Sequence, residues 1–369
     1  MADTLKMLVI SSVGTATPPP KYGGLELIAF WDAMLAAKAG HEVHIVVSLD
    51  SDLQRLKDAG LHPITTVPSR ITGGIPEEES HRVWSAKVKM NDFDLVHDES
   101  HQQHTLLAQV QASERGVATG AVCRTIHDDR PFGTIPTFNG MNFISPTLRH
   151  GSLMTAKYGM VTRTLWHGVD ESLYPLRQEP PNPKQPFVFL GRISPIKGVH
   201  IIVDIFKRLK LPLVLAGPGD HLGSQDPFVQ SIKSMVKDDP LIDYKGEVNH
   251  EEKVRLLQNA QAAVFASQFE EPFGLMVTEA QMCGTPVLTL GMGGPQETVR
   301  GPWSEAVRTT GELFRSVRGY AEDLREYPEL IPVGDCYETR EETVKDFSLD
   351  AHWKSLEQLY LDAVNTEGW

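Results

Sequence analysis

FVFLGRISPIKG, Phe187 to Gly198, is the stretch that decides the fold. Four apolar residues without polar alternation read as a strand buried on both faces. Gly191 and Gly198 then frame a short polar turn that opens a helix. Strand, glycine-framed turn and helix begin a βαβ unit, and the same signature recurs on both sides of this stretch. Downstream, Leu213–Ala216, Ala263–Ala266 and Val287–Leu290 repeat the short apolar run. Upstream, Met7–Val13, His44–Ser48, Phe93–Val96, Val122–Ile126 and Asn142–Ile144 do so, and Leu25–Ala39 carries apolar residues at helical spacing up to Gly40. The alternation predicts parallel sheets covered by helices on both faces, an α/β fold. Gln178–Pro186, with four prolines in nine residues, separates the two series and reads as a linker. The expectation is two doubly wound domains, 1–175 and 187–346, joined by 176–186.

A length of 369 residues suits about two domains at roughly 150 residues each. With 41% hydrophobic and 22% charged residues the chain is globular, which excludes disordered and fibrous classes. A net charge of −13, with both halves acidic, argues against a protein whose business is gripping nucleic acid or anionic lipid. Three widely separated cysteines, Cys123, Cys283 and Cys336, fit neither a disulfide framework nor zinc spacing, so reduced cytoplasmic thiols are expected. Lys6 before Met7–Ile10 is too little basic charge for a signal peptide. No apolar run approaches the ~20 residues of a membrane helix, which leaves only shallow peripheral contact with a membrane open.

In open α/β sheets ligands bind beyond the carboxyl ends of the strands, where loops meet helix N-termini. Four clusters lie there. Pro18-Pro-Pro-Lys-Tyr-Gly-Gly24 follows the first strand; Gly23 and Gly24 let backbone approach a ligand, although taken alone the stretch is better explained as a plain Pro/Gly turn. It is not GxGxxG, which speaks against a dinucleotide redox enzyme. In Gly191–Gly198, Arg192 and Lys197 put two cations beside a helix N-terminus, suited to a pyrophosphate; a solvated basic turn is the bland alternative. In Phe269–Ala280, Glu271 and the amides of Phe273, Gly274 and Leu275 can face sugar hydroxyls and an anionic group. Glu279, eight residues after Glu271, can accept from a vicinal diol such as a ribose. Paired carboxylates are usually a solvated face, but these two flank the apolar PFGL. Finally, His127 follows Val122–Ile126 at a strand's carboxyl end, where it can serve a substrate hydroxyl or be one more structural histidine among 14.

Together these stretches resemble the retaining family 4 glycosyltransferases, almost from end to end. The resemblance rests on PPKYGG at Pro19–Gly24, GRISPIKG at Gly191–Gly198, EEPFGLMVTEA at Glu270–Ala280, CGTPVL at Cys283–Leu288 and GGPQE at Gly293–Glu297. Arg300–Leu313 matches the family's glycine-rich turn and strand only loosely, and Arg70–His104, on the acceptor side, fits no subfamily pattern. The resemblance implies the GT-B fold, two Rossmann-like domains facing each other across a cleft, with a C-terminal helix over about 347–369 crossing back onto the front domain. It implies that Arg192 and Lys197 bind the donor diphosphate, Glu279 the ribose, and Glu271 with the amides of Phe273, Gly274 and Leu275 the transferred sugar. By the same resemblance Gly23 and Gly24 approach the donor phosphate, and His127 is the active-site histidine.

The implied reaction moves a sugar from a nucleoside-diphosphate sugar (UDP-, GDP- or ADP-linked) to a hydroxyl of a sugar, lipid-linked or small-molecule acceptor. Negative charge develops on the leaving oxygen, and Arg192, Lys197 and helix amides are suited to stabilise it. No convincing carboxylate nucleophile stands out, which favours a front-face route in which the leaving phosphate takes the acceptor proton. No metal is expected: Asp50-Ser-Asp52 and Asp92-Phe-Asp94 mimic a metal-binding DxD, but such triplets arise easily among 48 acidic residues. A nucleotide-sugar 2-epimerase on the same fold and a non-catalytic nucleotide-sugar-binding protein are the alternatives.

Overall fold

A computed structural model of the chain describes residues 4–21, 23–69, 76–101, 105–106, 108–109, 121–127, 142–182, 184–219, 225–300 and 336–366. It divides into two compact units, Met1–Gly168 with Leu349–Trp369, and Val169–Ser348.

The first unit runs β1 (Lys6–Ile10), α1 (Gly24–Lys38), β2 (Glu42–Val47), α2 (Leu53–Asp58), β3 (His62–Thr65), α3 (Pro76–Ser85), β4 (Leu95–Asp98), β5 (Ala121–Thr125), β6 (Asn142–Ser145), α4 (Leu148–Tyr158) and β7 (Thr162–Thr164). Its strands pair in the order β3-β2-β1-β4-β5-β6-β7, and every described pairing is parallel. Central strands are apolar because both faces are covered: Met7, Leu8, Val9, Val43, Ile45 and Val96 are all fully buried. The edges tolerate what the centre cannot. Pro63 lies in β3, and β7 is Thr-Arg-Thr.

The second unit runs β8 (Phe187–Leu190), α5 (Val199–Leu209), β9 (Leu213–Ala216), α6 (Pro227–Val236), β10 (Ile242–Gly246), α7 (His250–Gln258), β11 (Ala263–Phe265), α8 (Leu275–Met282), β12 (Val287–Thr289), α9 (Pro295–Thr298) and α10 (Cys336–Phe347). Its sheet, β10-β9-β8-β11-β12, is again parallel. Helix α5 buries Val199, Ile202, Val203, Ile205 and Phe206 against it, with the rings of Phe187 and Phe206 edge to face at 5.0 Å. The final helix α11 (Leu349–Asn365) returns to the first unit.

In each sheet the chain starts a strand near the middle, builds outward on one side, then crosses to the other. Those reversals, between β1 and β4 and between β8 and β11, are the topological switch points where a doubly wound sheet opens a crevice.

The unit boundary differs from the expected one. The chain passes between units at Gly168/Val169 and Ser348/Leu349, and the proline-rich stretch 178–186 lies inside the second unit. Arg177 is the reason. Its guanidinium donates to the Ala260 carbonyl at 2.8 Å and to Gln185 Oε1 at 2.9 Å, pinning that stretch beside β8. Cys123, Cys283 and Cys336 are free and buried, and burial pushes the thiols of Cys123 and Cys283 up to about 12. Among the described residues no helix is long and apolar enough to cross a membrane.

Candidate functional site

In the second unit four loops at the carboxyl edge of the sheet are stitched together in pairs. A parallel bridge joins Ile193, after β8, to Gly219, after β9; another joins Glu271, after β11, to Gly293, after β12. Between β8 and α5 the chain makes one 3-10 turn, Pro195–Lys197, and reaches α5 through Gly198 at φ 68°. A Cβ there would stand 2.0 Å from the Ala266 carbonyl oxygen, so glycine alone lets the Lys197 turn lie against the end of β11. Gly293 plays the same part opposite Glu271: φ is +76°, and a Cβ would meet Glu271 backbone oxygen at 2.3 Å.

This packing brings Lys197 and Glu271 together as an ion pair, with Ser267 Oγ donating to the same carboxylate oxygen at 2.5 Å. Lys197 Nζ also sits 5.0 Å above the Phe269 ring. Arg192 shares the β8 turn. Gly274 starts α8 at φ 89° with no side-chain cap, which leaves the amides of Leu275 and Met276 directed out of the helix at its positive end. Phe273 anchors that entry, buried with its ring edge-on to Phe347 at 5.7 Å. One helical turn in, Glu279 is buried and its Oε1 accepts from Tyr174 Oη at 2.5 Å and Lys253 Nζ at 2.8 Å. Burial and the neighbouring Glu279 charge raise the Tyr174 phenol well above its ordinary range, so it remains a donor. Tyr174 and Lys253, from outside every quoted stretch, were invisible in the sequence; a lysine at the start of a polar helix carries no signal by itself.

In the first unit Gly23 and Gly24 open α1. A Cβ on Gly23 would lie 2.6 Å from Thr15 Cγ2 and 2.7 Å from Pro19 Cβ, so the loop's own packing already demands glycine. Glu26, unremarked in the sequence, turns back into this loop and accepts from Thr15 N at 3.1 Å. Burial outweighs these hydrogen bonds and raises its pKa.

His127 lies two residues past β5, half-buried, with Nε2 2.5 Å from Glu99 Oε2 and its ring stacked on His167 at 5.6 Å. Residues 128–130 of the quoted TIHDDR lie outside the described residues. Glu99 follows β4 directly, its amide bonded to the Ile10 carbonyl at 2.9 Å. Its Oε1 receives Thr125 Oγ1 at 2.7 Å and faces His97 Nε2 at 2.7 Å. His97 Nδ1 meets Tyr360 Oη at 2.7 Å, and Asp32 Oδ2 lies 3.9 Å from that nitrogen. Asp32 Oδ1 in turn bonds His352 Nε2 at 2.8 Å. Burial alone would discharge His97 and His352, but the acids around them win and raise both pKa values; the histidines hold the Glu99 carboxyl well below its usual range. Burial, with His127 nearby, pushes His167 well below its ordinary value. Glu99, in HDES after Leu95–Val96, carries the strand-end signal in the sequence, whereas nothing local marks His352, 320 residues from Asp32.

Donor atoms of Asp32, His97 and Glu99 lie within 4.8 Å of one another, close enough for a metal. Both nitrogens of His97 are already engaged, however, Nε2 with Glu99 and Nδ1 with Tyr360, while Asp32 stands 3.9 Å away. The two DxD triplets hold backbone: Asp50 accepts from Ser69 N, Asp52 from Arg55 N, Asp92 from Lys89 N and Asp94 from Lys6 N, at 2.7–3.0 Å.

Compared with solved structures, the chain resembles sucrose-phosphate synthase from Thermosynechococcus elongatus, with a TM-score of 0.69 at 18% identity over 97% of this chain and 98% of that one. It resembles Anabaena HepE, crystallised with UDP and glucose, with a TM-score of 0.68 at 15% identity over 96% and 98%. The fold is GT-B. Within it, residues 176–305 match the family described as "Glycosyl transferases group 1", a stretch that includes the stitched loops of the second unit. Curated relatives align over a similar length. Glycogen synthase of Mycobacterium tuberculosis is 32% identical over 167 residues, 42% of this chain and 39% of the relative. D-rhamnosyltransferase WbpZ of Pseudomonas aeruginosa is 28% identical over 158 residues, 40% of each. The match thus spans about two-fifths of these relatives' length.

Proposed function

We propose that the chain is a retaining, family 4 glycosyltransferase, acting in the cytoplasm without a metal ion. It would move a sugar from a UDP-, GDP- or ADP-linked donor to an acceptor hydroxyl. One observation carries this reading: the group 1 segment brings the Arg192–Lys197 turn, Glu271 and the uncapped start of α8 to the carboxyl edge of one sheet, at its switch point. A diphosphate there meets Arg192, which can grip two oxygens, and Lys197, whose three N–H donors can serve phosphate while keeping Glu271. As the bond to the sugar breaks, the charge on the leaving oxygen is stabilised by these cations, already in place. Glu271 and the amides of Phe273, Gly274 and Leu275 serve the sugar, Glu279 the ribose, and in the first unit Gly23, Gly24 and His127 take the roles the resemblance gives them. The three buried thiols suit a reducing compartment.

The test is a thermal-shift screen of UDP, GDP and ADP followed by NMR of the sugar released from the matching donor. A diphosphate at 100 times its Kd should stabilise the protein by about 2.7 kcal/mol, and the first-formed product should keep the donor's anomeric configuration. No shift with any diphosphate, or an inverted product, overturns the reading.

A further inference from the structure

We propose that Glu99 is the positioning residue of His127: it accepts a hydrogen bond from Nε2–H of the imidazole and so leaves Nδ1, as a hydrogen-bond acceptor, for a hydroxyl of a bound sugar. The role toward a sugar rests on the transferase reading above; the state of the ring does not.

The geometry is specific. Glu99 and His127 follow neighbouring parallel strands, β4 and β5, at the switch-point edge of the first sheet. Glu99 divides its two oxygens. Oε1 serves His97 and Thr125, while Oε2 serves His127 Nε2 at 2.5 Å. A carboxylate has no proton to give, so every partner at these contacts is a donor, and His127 must carry hydrogen on Nε2. Among the described residues, Nδ1 of His127 makes no hydrogen bond. The identity of the second nitrogen's partner sets which nitrogen is presented to a ligand.

Charge supports the same assignment. The negative charge on Glu99 faces His97 from behind at 2.7 Å, and Glu99, Asp32 and Asp98 raise the pKa of that histidine against burial. Asp32 is likewise answered by His352. The nitrogen left to meet a ligand is thus Nδ1.

Glu99→Gln separates the possibilities because an amide has one oxygen and one NH₂. The oxygen should stay with His97 and Thr125, both donors, which turns the NH₂ toward His127. Nε2 must then accept, and the ring should switch to its Nδ1–H form. Long-range ¹H–¹⁵N spectra of ¹⁵N-histidine-labelled full-length protein at about pH 8 read this directly, with His127→Gln assigning the signal. The expected result is Nε2–H in the wild type, Nδ1–H in Glu99→Gln, and Nε2–H again in Glu99→Asp. A wild-type ring in the Nδ1–H form, or no switch in folded Glu99→Gln, overturns the proposal; the wild-type spectrum alone decides it if the variant does not fold. With UDP-glucose as probe, kcat/KM should fall ~10–100-fold in Glu99→Gln, the loss seen when the partner of a metal-bound histidine is removed, with partial rescue in Glu99→Asp. A wild type that consumes no UDP-glucose would count against that donor while leaving the spectroscopic result intact.

Discussion

Gly198→Ala should damage the second unit far more than its size suggests. The new methyl would stand 2.0 Å from the Ala266 carbonyl oxygen and 3.1 Å from Ala266 Cβ. The left-handed backbone at φ +68° costs an L-residue about 1–2 kcal/mol. Relieving the overlap adds roughly 1–3 kcal/mol, because the obstructing atom is backbone at a strand end and cannot rotate away. The expected loss is therefore about 2–5 kcal/mol. Gly246→Ala is the control: it shares the left-handed φ, +72°, but nothing lies within 4 Å of its Cβ, so only the conformational cost of about 1–2 kcal/mol remains. Urea denaturation of both variants, followed by far-UV circular dichroism, gives the difference, in which the backbone contribution cancels. Diphosphate binding should weaken in Gly198→Ala alone, since Ser267, which donates to Glu271, directly follows the displaced Ala266. Equal destabilisation of the two variants, within ~0.5 kcal/mol, would refute the claim that this glycine clamps the Lys197 turn to β11.

Replacing Arg192 or Lys197 with Ala should lower turnover by at least ~10²-fold in steady-state assays; near wild-type rates in both would remove them from the chemistry. Glu279→Gln should weaken binding of the free nucleoside diphosphate in calorimetry, whereas Glu271→Gln should spare that binding and slow sugar transfer; the reverse pattern exchanges their roles. Glu279→Ala is the poorer probe, since it also leaves the buried Tyr174 hydroxyl without its acceptor, a cost of about 1–3 kcal/mol. Activity should survive EDTA; complete loss restored by Mn²⁺ would return Asp50 and Asp52 to consideration. Stability should also report the buried histidines. The raised pKa values of His97 and His352 give stability that is complete below the ordinary value of 6.5 and is lost as pH rises through the folded values. Thermal melts from pH 6 upward should show that alkaline decline, and Asp32→Asn should flatten it; an unchanged slope would mean Asp32 does not hold those protons.

Strands buried on both faces announce themselves. Phe187–Leu190 and Leu213–Ala216 are bounded in the structure where the apolar runs end in the sequence. The edge strands β3, β7 and β10 give no such signal, because a strand with one neighbour and a wet flank can be His-Pro-Ile-Thr, Thr-Arg-Thr or Ile-Asp-Tyr-Lys-Gly. The expected strand Met7–Val13 stops at Ile10, where Ser11 and Ser12 begin the loop. Proline content misplaced the domain boundary, since prolines mark irregular backbone and not the absence of contacts; a single buried arginine, Arg177, ties that stretch to the second unit. Lys197, Glu271 and Glu279 were legible because they sit on short loops and helix starts whose spacing is local. The partners that define their state, Tyr174 and Lys253, and the Asp32–His352 and His97–Glu99 contacts, depend on which strands become neighbours. No local spacing encodes that.

The return of α11 to the first unit sets an order on synthesis. Its His352 and Tyr360 are the partners of Asp32 and His97, buried in that unit's interior. A ribosome adding about 5–20 residues per second needs roughly 10–40 s to make the intervening second unit. Through that interval Asp32 and His97 lack the partners that α11 brings, while Val169–Ser348 is one continuous stretch of chain. The part of the chain that emerges first should therefore be the last to acquire its native interior, and a nascent chain halted before residue 349 should protect its second half from protease and not its first.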